Sequence, residues 1–258
     1  MSVAIAVMAK APAAGRSKTR LMPLLSAYEA AAMGGAFLRD VTANLALAAR
    51  DGLIVPYVAY APAGTQDAVR HYIADGTGLL LADGAGVAEA GVHGFGSCLL
   101  QAIATMLAQG HQAACVLNAD SPNLPTGFLR QAAAYLAAPG DRVVMGPAED
   151  GGYYLLGMKQ AHTTLFADID WSTDRVAAQT RSRAIEAGVT MEELLPWYDV
   201  DEPETLLRLR DELAGNRMQG QFAAPHSAAC LAQLDMDARL APKPHGDAPA
   251  QHRAAAAP

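Results

Sequence analysis

The sequence predicts an α/β fold: a mostly parallel sheet with helices on both faces. Three observations lead there. Apolar runs without polar alternation, clearest at 3–8 and 113–117, suit strands buried on both sides. Ala- and Leu-rich segments of helical period alternate with them over about the first 210 residues. Glycine, proline and charge collect directly after the strand-like runs, where an open α/β sheet receives its ligand.

Taken in order, 3–8 (Val-Ala-Ile-Ala-Val-Met) reads as the first strand and the proline-free, Ala-rich 27–50 as a helix. The run 53–60 reads as a strand, irregular or near an edge because Pro56 cannot donate to a ladder. A short helix at 67–73 and a short strand at 78–81 follow. The helix 97–109 ends at Gly110, in the C-cap position. Then come a strand at 113–117, a helix at 127–137, and strands at 142–145 and 153–158. Ser172 or Thr173 is placed to cap a helix running to about 187, stopped by Gly188. From Asn216 the composition turns to Ala, Pro, Gln and His. The expected division is one domain over 1–215 and a weakly ordered tail over 216–258, dispensable for chemistry, with a short amphipathic helix at 230–240.

Composition narrows the function classes. With 258 residues, 52% hydrophobic and 17% charged, the chain buries a substantial core. A net charge of −7 argues against nucleic acid as the main partner. Cys98, Cys115 and Cys230 are far apart and lack metal-ligand spacing, so neither a zinc knuckle nor a disulfide framework is expected. No stretch approaches the roughly 18 apolar residues of a membrane span, and no signal-peptide pattern opens the chain. A cytoplasmic setting is the expectation. His71, His93, His111 and His162 show no pairing pattern, and no GxSxG elbow occurs.

Four motifs carry the chemistry. Lys10-Ala-Pro-Ala-Ala-Gly15-Arg16-Ser-Lys18-Thr-Arg20 puts four cations on one loop of an acidic protein, directly after the first strand. It lacks the earlier glycine of GxxxxGK[ST], so a P-loop backbone cradle is not supported. Side-chain donors on a phosphate or diphosphate are the functional reading, with Lys10 and Arg16 nearer the mouth; a solvated basic turn is the plain one. Asp120, in Asn118-Ala-Asp-Ser-Pro-Asn-Leu-Pro125, stands just past the strand 113–117. A carboxylate beside a diphosphate calls for an intervening Mg²⁺ or Mn²⁺, whereas an Asx-turn before Pro122 explains the local sequence equally well. In Glu149-Asp150-Gly151-Gly152-Tyr153-Tyr154, the glycines permit close backbone approach and Asp150 could orient or deprotonate an acceptor hydroxyl; a hairpin turn accounts for part of it. Asp199 and Asp201 alternate by two, so an extended backbone turns both carboxylates one way, fit to complete a metal site; Asp201 is equally sound as a helix N-cap. Trp171 could stack on a substrate ring or simply pack.

In this linear order the motifs resemble the bacterial nucleotide-diphospho-sugar transferase-like proteins known as radical-SAM/selenodomain-associated transferase 1, or arsenosugar-biosynthesis-type glycosyltransferases. The resemblance covers about residues 3–210. It rests on Lys10-Ala-Pro with Gly15 and Lys18-Thr-Arg-Leu, Asp120-Ser-Pro-Asn-Leu, the segment 146–157, Trp171-Ser-Thr and Asp199-Val-Asp201. It implies a Rossmann-like sheet of glycosyltransferase-A type, shared with molybdenum-cofactor and 2-phospholactate guanylyltransferases. It also implies a nucleotide over the first strand's loop and a divalent metal at Asp120. The expected activity is glycosyl transfer from a nucleotide sugar to a small acceptor. Lys18 and Arg20 would act on the leaving diphosphate, Asp120 with Asp199 or Asp201 on the metal, and Asp150 on the acceptor held by Glu149, Gly151, Gly152, Tyr153 and Trp171. Nucleotidyl transfer from an NTP and non-catalytic nucleotide binding are the alternatives. One departure stands out: where such proteins carry a Gly-Asp-Leu-Gly-Glu-Arg-like segment, this chain reads Gly94-Phe95-Gly96-Ser97-Cys98-Leu99.

Overall fold

A computed structural model describes residues 2–216, 219–234, 236 and 239. In chain order its elements are β1 (Val3–Ala9), α1 (Ala27–Ala48), β2 (Ile54–Tyr60), α2 (Gln66–Arg70), β3 (Gly78–Leu81), α3 (Phe95–Ala108), β4 (Ala113–Leu117), α4 (Thr126–Ala137), β5 (Arg142–Pro147), β6 (Tyr153–Met158), α5 (Val176–Glu186), β7 (Thr190–Glu193), α6 (Pro203–Asp211) and α7 (Pro225–Ala232). The strands form one sheet in the order β3-β2-β1-β4-β6-β5-β7. Every pairing is parallel except the two made by β6.

Period-2 geometry explains the uninterrupted apolar runs. In β1, Val3, Ile5 and Val7 enter the core beneath α1 and α4, while Ala4 and Ala6 face the opposite core beneath α3. Strand β4 divides likewise, with Ala113, Cys115 and Leu117 on the first side and Ala114 and Val116 on the second. In β1 the fully buried residues on the α3 side are both alanines, which lets α3 sit close. Helix α1 starts at a capping box, in which Ser26 accepts from the Glu29 amide and Glu29 accepts from the Ser26 amide.

The chain leaves β1 toward β2 on one side and returns through α3 to β4 on the other. The sheet therefore reverses its winding between β1 and β4, and a crevice opens beyond their carboxyl ends. Val7 pairs with Leu117, so Lys10 and Asp120 each lie three residues past that shared rung. Because β5 runs parallel to β4, the β5–β6 hairpin loop 148–152 opens at the same end of the sheet.

Several sequence-based expectations need correction. Helix α3 begins at Phe95, two residues ahead of the expected start. Neither Ser172 nor Thr173 caps α5, which begins at Val176. The segment before it is a turn, with Ser172 at φ 65° and the Thr173 hydroxyl donating to the Asp170 carbonyl. The polar edge strand β7 was not anticipated. Asp201 does not cap α6, because Glu202 and Thr205 form that capping box. The tail is not uniformly weakly ordered: α7 packs on α1, where the buried Asp40 carboxylate accepts from the His226 and Ser227 amides (3.0 and 2.6 Å) and the Ser227 hydroxyl. Helix α7 overlaps the helix expected at 230–240 only over 230–232. Of the tail, residues 217, 218, 235, 237, 238 and all from 240 lie outside the described residues.

Candidate active site

A cleft of about 450 Å³ opens at the crevice between β1 and β4, lined on its polar side by Lys10, Arg16, Lys18, Arg20, Asn118, Asp120 and Asp201. Its center is Lys18. The Lys18 ammonium lies 2.6 Å from Asp120 Oδ1, 2.6 Å from Asp201 Oδ1 and 2.8 Å from the Val200 carbonyl, which engages all three of its protons. Its side chain is 8% exposed. The Lys18 stem lies across Gly34 of α1, and the ammonium sits 5.0 Å from the center of the Phe37 ring. Burial alone would lower the pKa of this amine, but Asp120 and Asp201 together outweigh burial and raise it, so the amine stays charged. Lys18 itself has φ 49°, in the left-handed region that few side chains adopt.

Main-chain bonds bring the acidic segments together. The Val200 amide donates to the Asp120 carbonyl at 2.8 Å, and the Ser121 hydroxyl to the Tyr198 carbonyl at 2.9 Å. The Glu149 amide donates to the Trp197 carbonyl at 2.9 Å, so the hairpin loop is tied to the same strip of chain. A side-chain brace doubles this tie. The Arg208 guanidinium stacks on the Tyr198 ring at 3.7 Å and reaches Glu149 at 2.7 Å and Glu212 at 3.1 Å. Glu212 in turn accepts from the Tyr198 hydroxyl and from the Asn123 amide.

Negative charge exceeds positive charge inside this ring of contacts. Burial first, then Asp150, Asp201 and Asp120, push the Asp199 carboxyl up to about 7. Burial likewise raises Asp120, with Lys18 pulling against it and Asp201 adding to it. The donors are all hard oxygens, which suits Mg²⁺ or Mn²⁺. Among the described residues no three His, Cys, Asp or Glu side chains gather closely enough to enclose a cation by themselves. An ion here would have to share its shell with ligand oxygens.

The other expected site residues divide. Gly15, at φ 72°, turns the cationic loop and does not line the cleft. Asp150 accepts from the Gly152 amide, and Gly151, at φ 90°, packs so tightly on the Asp174 backbone that a Cβ would collide. Glu149 is bound by Arg208 and braces the loop. Tyr154 is a core residue. Tyr153 and Trp171 meet edge to face at 6.4 Å, and Trp171 lies on Gly96, where a Cβ would meet the indole at 2.8 Å. Both aromatics are thus in packing contacts, the alternative stated for Trp171.

Sequence reasoning missed the apolar wall. Ala59, Ala61, Ala82, Phe95 and Cys98 also line the cleft, and Phe95 is 50% exposed against Trp171. The available signal was their shared position at the carboxyl ends of β2 and β3 and the start of α3. Arg208 was also missed, since nothing local marks it.

A family profile described as "Uncharacterized protein conserved in bacteria (DUF2064)" matches residues 44–173. No curated protein matches the chain. Among solved structures, a Desulfovibrio desulfuricans G20 protein provisionally described as a nucleotide-diphospho-sugar transferase superposes with a TM-score of 0.75 at 22% identity, over 93% of this chain and 97% of that one. A CMP:2-keto-3-deoxy-manno-octonic acid synthetase complexed with CTP superposes with a TM-score of 0.51 at 13% identity, over 84% and 100%. At these identities the likeness is one of fold.

Proposed function

We propose, as the activity of a chain that belongs to the uncharacterized bacterial family DUF2064, metal-dependent transfer of a sugar from a nucleotide-diphospho-sugar donor to a small acceptor. One observation carries the reading: at the winding reversal of the sheet, a cationic loop and two acidic segments distant in sequence converge on one cleft. The fold shared with a protein described as a nucleotide-diphospho-sugar transferase supports it.

In this reading the nucleotide lies with its base toward the apolar wall and its diphosphate toward Lys10, Arg16 and Arg20. Those cations are placed to offset charge that grows on the leaving diphosphate, an effect worth several kcal/mol when the donors are fixed in advance. Asp120, with Asp199 or Asp201, would hold Mg²⁺ or Mn²⁺, which when bound neutralizes phosphate oxygens. Lys18 keeps Asp120 and Asp201 aimed at one point. Asp150, on a loop braced by Glu149 and Arg208, would orient or deprotonate the acceptor hydroxyl.

Nucleotidyl transfer from an NTP is the second reading, and the fold shared with a CTP-bound synthetase favors it. Melting temperatures measured with a panel of nucleotide sugars and NTPs, with and without Mn²⁺, separate the two. Stabilization by UDP- or GDP-sugars that depends on Mn²⁺ supports glycosyl transfer, whereas stabilization by NTPs alone replaces it with the second reading. Binding indifferent to metal would remove both and leave a non-catalytic nucleotide-binding protein.

A further inference from the structure

We infer that Lys18 competes with the divalent cation for the same carboxylate oxygens, so that this site takes up metal and a polyanion together. The inference rests on the transfer reading for the identity of that anion, a nucleoside diphosphate. Its ground is geometric.

One ammonium lies 2.6 Å from an oxygen of each of the two carboxylates that converge from β4 and from the segment before α6. Its third proton is on the Val200 carbonyl, so Lys18 has no donor left for an incoming phosphate as it stands. A cation sharing those two oxygens would face the ammonium across a poorly hydrated gap, where like charges repel strongly. Relief of that repulsion requires the ammonium to leave its two carboxylates. It can retreat by turning toward a new anion. Lys10, Arg16 and Arg20 line the same cleft, so an arriving diphosphate would sit within the reach of this loop. Transferring the ammonium from carboxylate to phosphate frees Asp120 and Asp201 for the metal, and the metal then binds the phosphate as well. By linkage, each ligand raises the affinity of the other by the same factor.

This assigns Lys18 a role beyond that of a phosphate contact: it holds the two acidic segments together and discourages metal from binding alone. The test is Mn²⁺ affinity, read from the electron paramagnetic resonance signal of free Mn²⁺. Lys18→Gln and Lys18→Met, each checked for native circular dichroism, should bind Mn²⁺ alone about tenfold or more tightly than the wild type. Equal or weaker binding by folded variants overturns the inference. If neither variant folds, the wild type decides it through the ¹⁵Nζ resonance of Lys18, assigned by Lys18→Arg. Mg²⁺ alone should leave that resonance in place, and Mg²⁺ with methylenediphosphonate should shift it. A shift on Mg²⁺ alone overturns the inference. Failure of every nucleotide to bind would refute the transfer reading, while the Mn²⁺-only comparison would still support or overturn the competition.

Discussion

Asp199 shows how a single side chain reports on the whole cleft. Its native carboxyl keeps a proton up to about 7, for burial and for the neighboring Asp150, Asp201 and Asp120, whereas an unfolded one gives it up near pH ~4. Folding therefore takes up a proton between those values, and this residue's contribution to stability is lost as pH rises through the window. In EDTA, Asp199→Asn should melt a few degrees above the wild type at pH 8, with the gap closing toward pH 4. A constant gap across that range would mean that Asp199 does not sense the other carboxylates. Asp120→Asn should abolish Mn²⁺-dependent stabilization by nucleotide, and an unchanged thermal shift would remove Asp120 from the site. Lys18 illustrates why the sequence was legible only in part here. Its loop was visible from the crowding of four cations after β1, but its partner Asp201 is 183 residues away, and no local pattern announces a contact of that separation. Reading the loop without that partner gave Lys18 a phosphate role and left its hold on two carboxylates unseen.

At the scale of elements, the hairpin loop between β5 and β6 carries most of the exposed risk. Gly151→Ala places a methyl group against the Asp174 backbone at a φ of 90°, and should cost about 2 kcal/mol or more in denaturant melts. At Gly152 a Cβ meets only the movable Asp150 carboxylate, at 3.1 Å, so the same change there should cost less. The pair Glu149→Gln and Arg208→Met should couple in a double-mutant cycle by up to about 1 kcal/mol, because the bridge is about half exposed. Additive effects would show that the brace is decorative. The elements legible in the sequence were those with a strong period: β1, α1, β4, α4 and β6 fall within a few residues of expectation. Strand β7 (Thr-Met-Glu-Glu) was not, since an edge strand needs no apolar run and its acidic residues discourage further pairing. The start of α5 was misjudged for a related reason. Its Ala177 amide donates to the Gly151 carbonyl of the hairpin loop, so a tertiary contact replaced the expected local cap.

For the whole molecule, the segment after Asn216 is the instructive case. Composition suggested a weakly ordered tail with one short helix, yet α7 covers an apolar stretch of α1 and answers the Asp40 carboxylate. Removing 217–258 should therefore lower stability by about 2 kcal/mol or more through the loss of that cover, seen as a reduced melting temperature. An unchanged melt would return the segment to its original assignment. Ala and Pro content misled because α7 is short and draws its order from docking, not from its own propensity.

The bond from the Val200 amide to the Asp120 carbonyl carries a consequence for synthesis. A nascent chain released to residue 120 already holds β1 through β4, four parallel strands that can pair among themselves. Its pocket nevertheless lacks one carboxylate wall until residue 201 has left the ribosome. The cleft thus lacks Asp201 in every polypeptide shorter than 201 residues, whatever fraction of the sheet has already formed.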